Sequence, residues 1–203
     1  MTRARDPALV ILAAGASTRL AQCKALAPLA DGTPLDLLCA RGACFDGAPT
    51  LVVTGADHDA IAARCPPGVE ILWNADWRLG RTGGVRLASV HRPGLDLCLA
   101  PVDVPRVPAE VFAALLQAWR ALGAPPLGWL APAHSLPGEA APRFGHPVVV
   151  GKELLGRLAE MDPGTPLHAL RAQAQPLSSV PVARPEVLDD LDDPEDFQRM
   201  RIL

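Results

Sequence analysis

The sequence predicts an α/β fold built on a mainly parallel β-sheet. Short apolar runs recur as far as Leu122, and segments with alanine, leucine and charged residues at helical spacing lie between them. The apolar runs are residues 8–14, 50–55, 69–74 and 96–103. This alternation is typical of βαβ units, in which parallel strands lie side by side and helices pack on the sheet.

Helix starts are predicted after the first, second and fourth of these runs, at Thr33-Pro34, Asp57 and Pro108. Proline suits the first helical turn, where its missing N–H costs no hydrogen bond, and short polar side chains accept hydrogen bonds from free N–H groups. The positions of these starts support the same strand and helix order.

Beyond Gly123 the pattern changes, and we expect residues 124–147 to form a long loop or hairpin that covers the functional site. The segment carries many of the 22 prolines of the chain and several glycines. Regular elements are predicted after it: a strand entering a helix over 147–161, a helix near Thr165 and Pro166, a strand over 177–183 and a short helix capped around Asp193 and Pro194. We expect one domain over residues 1–203.

The net charge of the chain argues against a large anionic partner, because such partners bind proteins with an overall positive charge. The chain has 203 residues and a formal net charge of −3, so neither nucleic acid nor an anionic membrane is an expected partner. No segment approaches the roughly 18 apolar residues that span a bilayer. An anionic substrate must therefore be held by a few local groups.

The cysteines and the N-terminal segment favour a cytoplasmic protein. The five cysteines contain no C-x-x-C pair, so neither a disulfide framework nor a zinc site is expected. The basic start and the apolar run after it superficially resemble a secretory signal. Asp6, Pro7 and Gly15 interrupt that run, however, and a buried strand leading into a glycine turn explains it better.

The loop after the first predicted strand carries the most informative residues. Loops at the carboxyl ends of strands are where open α/β sheets bind ligands. Gly15 and Ser17 are small enough for backbone N–H groups to approach phosphate oxygens, and Arg19 and Lys24 add positive charge. The spacing matches neither G-x-G-x-x-G nor G-x-x-x-x-G-K-[ST]. These residues alone leave two alternatives: a polyphosphate-binding loop, or an ordinary turn with two solvated basic side chains.

This loop resembles the signature of a known family, the MobA-like NTP transferases. The signature L-A-A-G-x-S-x-R-x-x-x-x-K is formed here by Leu12, Ala13, Ala14, Gly15, Ser17, Arg19 and Lys24. Within the family the chain is most similar to the molybdenum cofactor cytidylyltransferases. The resemblance implies that residues 12–15 and Ser17 bind the nucleotide, and that Arg19 and Lys24 are catalytic groups that neutralise the triphosphate at the reacting α-phosphorus. Two positions depart from the family, which usually has glycine at Ala21 and often proline at Cys23.

Asp103, at the end of a buried strand, is implied by the same resemblance to bind Mg²⁺ and to take part in catalysis. Mg²⁺ prefers one or two carboxylates, with water and phosphate oxygens completing its octahedron. Without the resemblance, Asp103 could equally accept hydrogen bonds from its own turn. Asp192 is a second candidate ligand, because two-metal phosphoryl sites need another carboxylate from elsewhere in the chain. The acidic run around it also suits the cap and first turn of the last helix.

Further matches extend the resemblance over most of the chain. Asn74 and Gly80 fall in the family pattern N-x-x-W-x-x-G and are implied to lie near the base and ribose. Gly145, His146 and Pro147 are implied to face the acceptor, although His146 is also consistent with an ordinary loop histidine. After Gly80 the chain has Arg-Thr-Gly-Gly over residues 81–84, where the family commonly has glycine and serine before a helix.

The resemblance implies a three-layer α/β/α sandwich of the Rossmann-like nucleotide-diphospho-sugar transferase type. The implied activity is a Mg²⁺-dependent transfer of CMP from CTP to a phosphorylated acceptor, with release of pyrophosphate. The implied acceptor is the molybdopterin form of the molybdenum cofactor, for a molybdoenzyme of the xanthine dehydrogenase type. Ala14 favours CTP, because the guanylyltransferase branch has glycine at this position. A sugar or polyol phosphate acceptor, and a non-catalytic nucleotide- or cofactor-binding module, remain alternatives.

Overall fold

The four apolar runs form the parallel half of one β-sheet. The computed structural model describes residues 6–20, 22–162 and 164–202, so the departure at Ala21 lies outside the described residues. The strands are β1 (Ala8–Ala13), β2 (Leu51–Thr54), β3 (Glu70–Trp73), β4 (Leu97–Pro101), β5 (Trp129–His134), β6 (Arg143–Phe144), β7 (Val148–Val150) and β8 (Leu177–Pro181). The α-helices are α1 (Pro34–Ala40), α2 (His58–Ala62), α3 (Arg81–His91), α4 (Ala109–Ala121), α5 (Lys152–Gly156), α6 (His168–Arg171) and α7 (Pro194–Ile202).

The sheet is mainly parallel, as predicted, with antiparallel pairing in its second half. Its order is β3-β2-β1-β4-β7-β5-β6, and β8 pairs with β5. The parallel pairs are β1 with β2 and β4, β2 with β3, and β5 with β8. Strand β7 runs antiparallel to both β4 and β5, and β6 forms an antiparallel pair with the end of β5. The carboxyl ends of β1, β2, β3 and β4 therefore lie at one edge.

Helices cover both faces of the sheet, which confirms the three-layer α/β/α architecture. Side chains alternate between the faces along β1, because successive residues of a strand point to opposite sides. Leu9 and Ile11 pack in one core with buried residues of α1, α2 and α4. Ala8 and Val10 pack in a second core with buried residues of α3, α5 and α6.

Of the predicted loop or hairpin over residues 124–147, the structure shows the hairpin, but one of its strands belongs to the main sheet, which the prediction missed. This strand is β5, whose first five residues are buried and which pairs with β6, β7 and β8. Proline normally disfavours a strand because it cannot donate to the ladder. Pro132 nevertheless lies within β5, where its carbonyl accepts a hydrogen bond from Gly145 N at 3.0 Å. The hairpin part of the prediction corresponds to β5 and β6.

The helix starts follow the predicted residues. Thr33 forms a capping box at α1: its side chain accepts from Asp36 N, and the Asp36 side chain accepts from Thr33 N. Asp193 Oδ1 accepts from the backbone N–H groups of Glu195 and Asp196 at the start of α7. Within the described residues, no helix has the length and apolar character required to cross a membrane.

Residues 81–84 form the first turn of α3 rather than a loop after Gly80. Gly80 precedes this helix with a φ of 113°, in the region that favours glycine. The helix is possible despite two glycines because Val85 and Ala88 are buried against the sheet. A helix that starts here brings Arg81 to the carboxyl edge of the parallel strands.

Candidate active site

The loop after β1 is closed by hydrogen bonds of Ser17. Its Oγ accepts from Lys24 N at 3.0 Å, and its carbonyl accepts from Leu20 N at 3.0 Å. The same loop leaves Gly15 with open space around its α-carbon, since a Cβ built there meets no atom within 4 Å. The loop therefore presents Arg19 and Lys24 around an accessible stretch of backbone.

The start of this loop is fixed against the loop after β2. Ala14 O accepts a hydrogen bond from Ala56 N at 3.1 Å. A Cβ at Gly55 would lie 2.3 Å from Ala14 O, which no side chain tolerates. Glycine at position 55 therefore allows the two backbones to approach and keeps Ala14 in place.

A cavity of about 390 Å³ lies against this loop, and we call it the loop cavity. Its lining includes Ala14, Gly15, Arg19 and Lys24 from the loop, together with Asp103 after β4. Other lining residues are Leu12, Ser17, Trp77, Gly80, Arg81 and Asp192. Basic and acidic side chains thus face one space at the carboxyl edge of the sheet.

The two basic side chains of the loop pair with one carboxylate. Lys24 Nζ donates to Asp192 Oδ1 at 3.0 Å, and Arg19 approaches the same oxygen at 3.5 Å. The Lys24 side chain is 12% exposed, whereas that of Arg19 is 69% exposed. Lys24 is thus a largely buried cation directed at the cavity, and Arg19 is free to move.

The C-terminal segment brings Asp192 to this position. Leu191 is buried with Leu29 and Met200 in a small apolar cluster. Leu191 N donates to Asp103 O at 2.6 Å, so the segment is tied to the residue after β4. The Asp196 carboxylate accepts from Asp192 N at 2.9 Å, which fixes the backbone of Asp192.

Asp103 has one paired and one unpaired carboxylate oxygen. Arg81 donates to its Oδ2 at 3.0 Å. Its Oδ1 is buried and has no hydrogen-bond partner. A buried oxygen without a donor is costly unless a ligand or an ion satisfies it.

These oxygens fit a magnesium ion that takes its other ligands from phosphate and water. Asp103 and Asp192 both line the loop cavity and supply hard oxygen donors of the kind Mg²⁺ prefers. In the described ranges, no group of three or more histidine, cysteine, aspartate or glutamate side chains is arranged to hold a metal by protein ligands alone. In a site of one or two carboxylates, water completes the coordination, and phosphate oxygens replace part of that water when a phosphate-bearing ligand is bound.

Asp190 adds a third acidic group near Asp103 and Asp192. Burial raises the pKa of the Asp190 carboxyl, and the negative charges of Asp103 and Asp192 raise it further. Asp103, Asp190 and Asp192 line a cavity of about 380 Å³, the acidic cavity, together with Arg81 and Arg143. Negative charge is thus concentrated beside the loop cavity.

A third cavity, of about 500 Å³, lies under β5 and β6, and we call it the apolar cavity. Its lining includes Leu99, Pro101, Trp129, Ala131, Val148 and Leu167. Polar groups at its margin include Thr82, His146 and Arg171. Leu12, Gly80 and Arg81 line both this cavity and the loop cavity, so the two spaces adjoin at these residues.

His146 brings a neutral polar group to the apolar cavity. Burial and then the positive charge of Arg81 lower the pKa of its ring to about 4, against a smaller opposing effect of the Asp103 charge. The Nδ1 atom is buried without a partner. His146 N donates to Val187 O at 2.9 Å, and a Cβ at Gly145 would lie 2.2 Å from the same oxygen. Glycine at position 145 thus allows the close approach that holds His146.

Most of the predicted site residues lie around the two adjoining cavities. The loop cavity is lined by Leu12, Ala14, Gly15, Ser17, Arg19, Lys24, Gly80, Asp103 and Asp192. The apolar cavity is lined by Gly145 and His146, with Leu12 and Gly80 shared between the two.

Three predicted residues do not line these cavities. Ala13 is buried on the opposite face of β1, in the core formed with α1, α2 and α4. Asn74 is 5% exposed beneath α3, and its Nδ2 has no hydrogen-bond partner. Pro147 follows His146 through a cis peptide bond and is buried.

Arg81 and Trp77 are among the lining residues that were not predicted from the sequence. Arg81 was noted only as a departure from the family, although a cation directly after Gly80 was a signal for an anion-binding role. Trp77 lines the loop cavity, and the Arg78 guanidinium lies 4.4 Å from the centre of its ring. Its place within the N-x-x-W-x-x-G pattern was the available signal.

The fold is that of the α/β nucleotidyltransferases. A MobA-like NTP transferase domain matches residues 9–178, and the chain belongs to that family.

The comparison with known structures agrees with this assignment. The chain is similar to Rv0371c from Mycobacterium tuberculosis H37Rv, with 25% identity, 100% of both chains covered and a TM-score of 0.78. A manganese complex of Rv0371c matches with 20% identity, 97% of this chain and 98% of that chain covered, and a TM-score of 0.73. Molybdopterin-guanine dinucleotide biosynthesis protein A from Archaeoglobus fulgidus matches with 16% identity, 96% of both chains covered and a TM-score of 0.72.

One curated relative is similar over part of its length. Bifunctional protein GlmU from Bradyrhizobium sp. (strain ORS 278) is 37% identical over 122 residues, which are 57% of this chain and 27% of that protein. The match thus spans about a quarter of GlmU.

Proposed function

We propose that the chain transfers a nucleoside monophosphate from an NTP, with CTP favoured, to a phosphorylated acceptor and releases pyrophosphate. One observation carries this proposal: the loop cavity and the apolar cavity lie side by side and share Gly80 and Arg81 in their linings. One space offers cations and carboxylates suited to a triphosphate with its metal ion. The other offers an apolar surface suited to a second substrate.

The proposed reaction is an in-line displacement at the α-phosphorus. A phosphate oxygen of the acceptor forms the new bond to this phosphorus, and the bond from the α-phosphorus to the oxygen bridging the α- and β-phosphates breaks. The bond electrons leave with pyrophosphate, so no covalent enzyme intermediate is required. Lys24, Arg19 and the backbone N–H groups near Gly15 stabilise the negative charge that develops on the phosphates.

Asp103 and Asp192 would hold a Mg²⁺ ion with the phosphates of the nucleotide. When bound, the ion neutralises charge on the phosphate oxygens and on the departing pyrophosphate. Lys24 and Arg19 would neutralise further charge on the phosphates. Their pairing with Asp192 keeps them near this position before the nucleotide arrives.

The lining of the apolar cavity favours an acceptor with a largely apolar or aromatic body. A sugar or polyol phosphate presents many hydroxyl groups, each of which needs a hydrogen-bond partner when buried. Side chains such as Leu99, Val148 and Leu167 offer none, whereas His146 and Thr82 supply a few polar contacts. We therefore propose molybdopterin as the acceptor, a cytoplasmic reaction and a molybdoenzyme of the xanthine dehydrogenase type as the recipient of the product.

The alternative of a non-catalytic binding module predicts binding without turnover. The presence of Lys24 and Asp103 beside one cavity favours an enzyme, because binding alone does not require both. Pyrophosphate release should be measured with CTP, GTP and ATP, with and without molybdopterin, and the products identified by mass. We expect a cytosine dinucleotide. NTP binding without pyrophosphate release in any combination would support the binding module.

A further inference from the structure

Arg81 lies where the loop, apolar and acidic cavities adjoin, and it lines all three. Its guanidinium donates to Asp103 Oδ2 at 3.0 Å, while its side chain is 47% exposed. The Arg81 side chain is thus held by its hydrogen bond to Asp103, and the rest of it is exposed enough to change conformation. Of the residues that line both the loop cavity and the apolar cavity, which are Leu12, Gly80 and Arg81, Arg81 is the one with a charge.

Most of the charged groups around the loop cavity pair with one another within the protein, whereas Arg78 in the same lining lies over the Trp77 ring. Three cations, Arg19, Lys24 and Arg81, pair with the two carboxylates Asp103 and Asp192. Once Lys24 and Arg19 contact the triphosphate and a metal ion contacts the carboxylates, Arg81 loses its partner Asp103 and can pair with another anion.

We propose that Arg81 is an exchangeable counter-ion of Asp103 that moves to the acceptor phosphate once the metal and the nucleotide are bound. This proposal rests on the function proposed above. The Arg81 cation reduces the attraction of the Asp103 carboxylate for a metal ion. Because coupling between two ligands is reciprocal, a bound metal ion weakens the hold of Asp103 on Arg81 by the same factor.

Arginine is suited to binding the acceptor phosphate after it leaves Asp103. Its planar guanidinium donates two parallel hydrogen bonds to a phosphate, which a lysine ammonium cannot do with the same geometry. Arg81 also belongs to the first turn of α3, so its backbone is fixed while its side chain turns. The chain thus has a phosphate-positioning residue at the position where it departs from its family.

The first test measures Mn²⁺ affinity of the nucleotide-free protein by electron paramagnetic resonance. Arg81→Gln removes the competing cation and is expected to tighten Mn²⁺ binding by about fivefold or more. Arg86→Gln, on the same helix but outside the three cavities, is the matched control and should leave the affinity unchanged. Equal affinity in Arg81→Gln and the wild type would overturn the exchange.

The second test measures binding of inorganic phosphate by calorimetry. With Mg²⁺ and α,β-methylene-CTP bound, Arg81→Gln should bind phosphate about tenfold more weakly than the wild type and Arg86→Gln. Without metal and nucleotide, the wild type and Arg81→Gln should differ little, because Asp103 then holds the guanidinium. A difference of the same size in both states would overturn the exchange. Arg81→Lys should fall between the wild type and Arg81→Gln.

These measurements separate the two proposals. If no NTP gives pyrophosphate, the proposed function fails and the acceptor role of Arg81 fails with it. The competition between Arg81 and the metal ion at Asp103 is decided by the Mn²⁺ affinities alone. If pyrophosphate is released but Arg81→Gln leaves the phosphate affinity and the KM of the acceptor unchanged, only the role of Arg81 is overturned.

Discussion

Lys24 Nζ donates a hydrogen bond to Asp192 Oδ1 at 3.0 Å, although the two residues are 168 positions apart. The pair joins the loop after the first strand to the segment before the last helix. Asp192 lies beyond residue 178, where the family match ends. The C-terminal segment thus completes the candidate site rather than merely covering the core.

Removal of the charge of Lys24 or Asp103 should abolish most of the activity. We expect Lys24→Ala and Asp103→Asn each to lower kcat/KM by about 10² or more, because each removes charge stabilisation specific to phosphoryl transfer. The measurement is steady-state pyrophosphate release, with the Tm recorded for each variant.

Lys152→Ala and Asp59→Asn are the matched controls for these two substitutions. Both residues lie outside the loop cavity, and Asp59 is exposed on α2. Near-normal kinetics in Lys24→Ala or Asp103→Asn would contradict the site assignment, as would equal losses in the controls.

Removal of divalent metal should stop the reaction. EDTA is expected to abolish pyrophosphate release, and Mg²⁺ or Mn²⁺ to restore it, since both ions accept oxygen ligands. Asp192→Asn should raise the Mg²⁺ concentration needed for half-maximal activity by about tenfold. Activity that persists in EDTA would contradict the metal site, and an unchanged Mg²⁺ requirement in Asp192→Asn would exclude this residue as a ligand.

His146 should remain neutral well below the usual pKa of histidine. Burial and then the charge of Arg81 lower its pKa to about 4 in the folded protein. The unfolded chain binds the proton near pH 6.5, so the folded protein should lose stability as the pH falls from about 6.5 to about 4. NMR titration of the ring, assigned with His146→Gln, measures this pKa. A midpoint near 6.5 would contradict the buried, neutral ring.

Sequence patterns could predict the parallel half of the fold because its strands are continuous apolar runs. The same patterns missed β5, since Pro125, Pro126 and Pro132 gave it the composition of a loop. Strand β5 exists because its side chains are buried and its neighbours β7 and β8 supply the pairing. The start of α3 was also missed, because Gly83 and Gly84 are residues that disfavour a helix.

Within the candidate site, the family resemblance predicts the loop and Asp103 from local motifs, but it does not predict the charge pairs. The pairing of Arg81 with Asp103 joins residues 22 positions apart, and Asp192 reaches Lys24 only through the packing of Leu191. Such contacts depend on the tertiary fold. The resemblance predicts that Asn74 lies near the base, and the structure shows it 5% exposed with its Nδ2 close to Gly84 of α3.

Ala14 should contribute to a preference for CTP over GTP. It lines the loop cavity, and its backbone is fixed by Ala56, so its methyl group restricts the room for a purine. One position of this kind discriminates by about 1–3 kcal/mol, so we expect Ala14→Gly to shift the ratio of kcat/KM values toward GTP by about tenfold. Competition between CTP and GTP at equal concentration measures the shift.

Ala16→Gly is the control for that experiment, because it adds the same backbone freedom to the loop without lining the loop cavity. It should leave the ratio unchanged. A guanine product in excess with the wild type, or no shift in Ala14→Gly, would show that Ala14 does not determine the base.

The fate of the individual phosphates of CTP tests the proposed transfer most directly. CTP labelled at the α-phosphorus or at the γ-phosphorus should be incubated with Mg²⁺, molybdopterin and the protein. We predict that the α-label appears in the dinucleotide and the γ-label in pyrophosphate, in equal amounts, and that Asp103→Asn loses both. Release of the γ-label as inorganic phosphate, or an α-label that remains in CTP, would contradict nucleotidyl transfer.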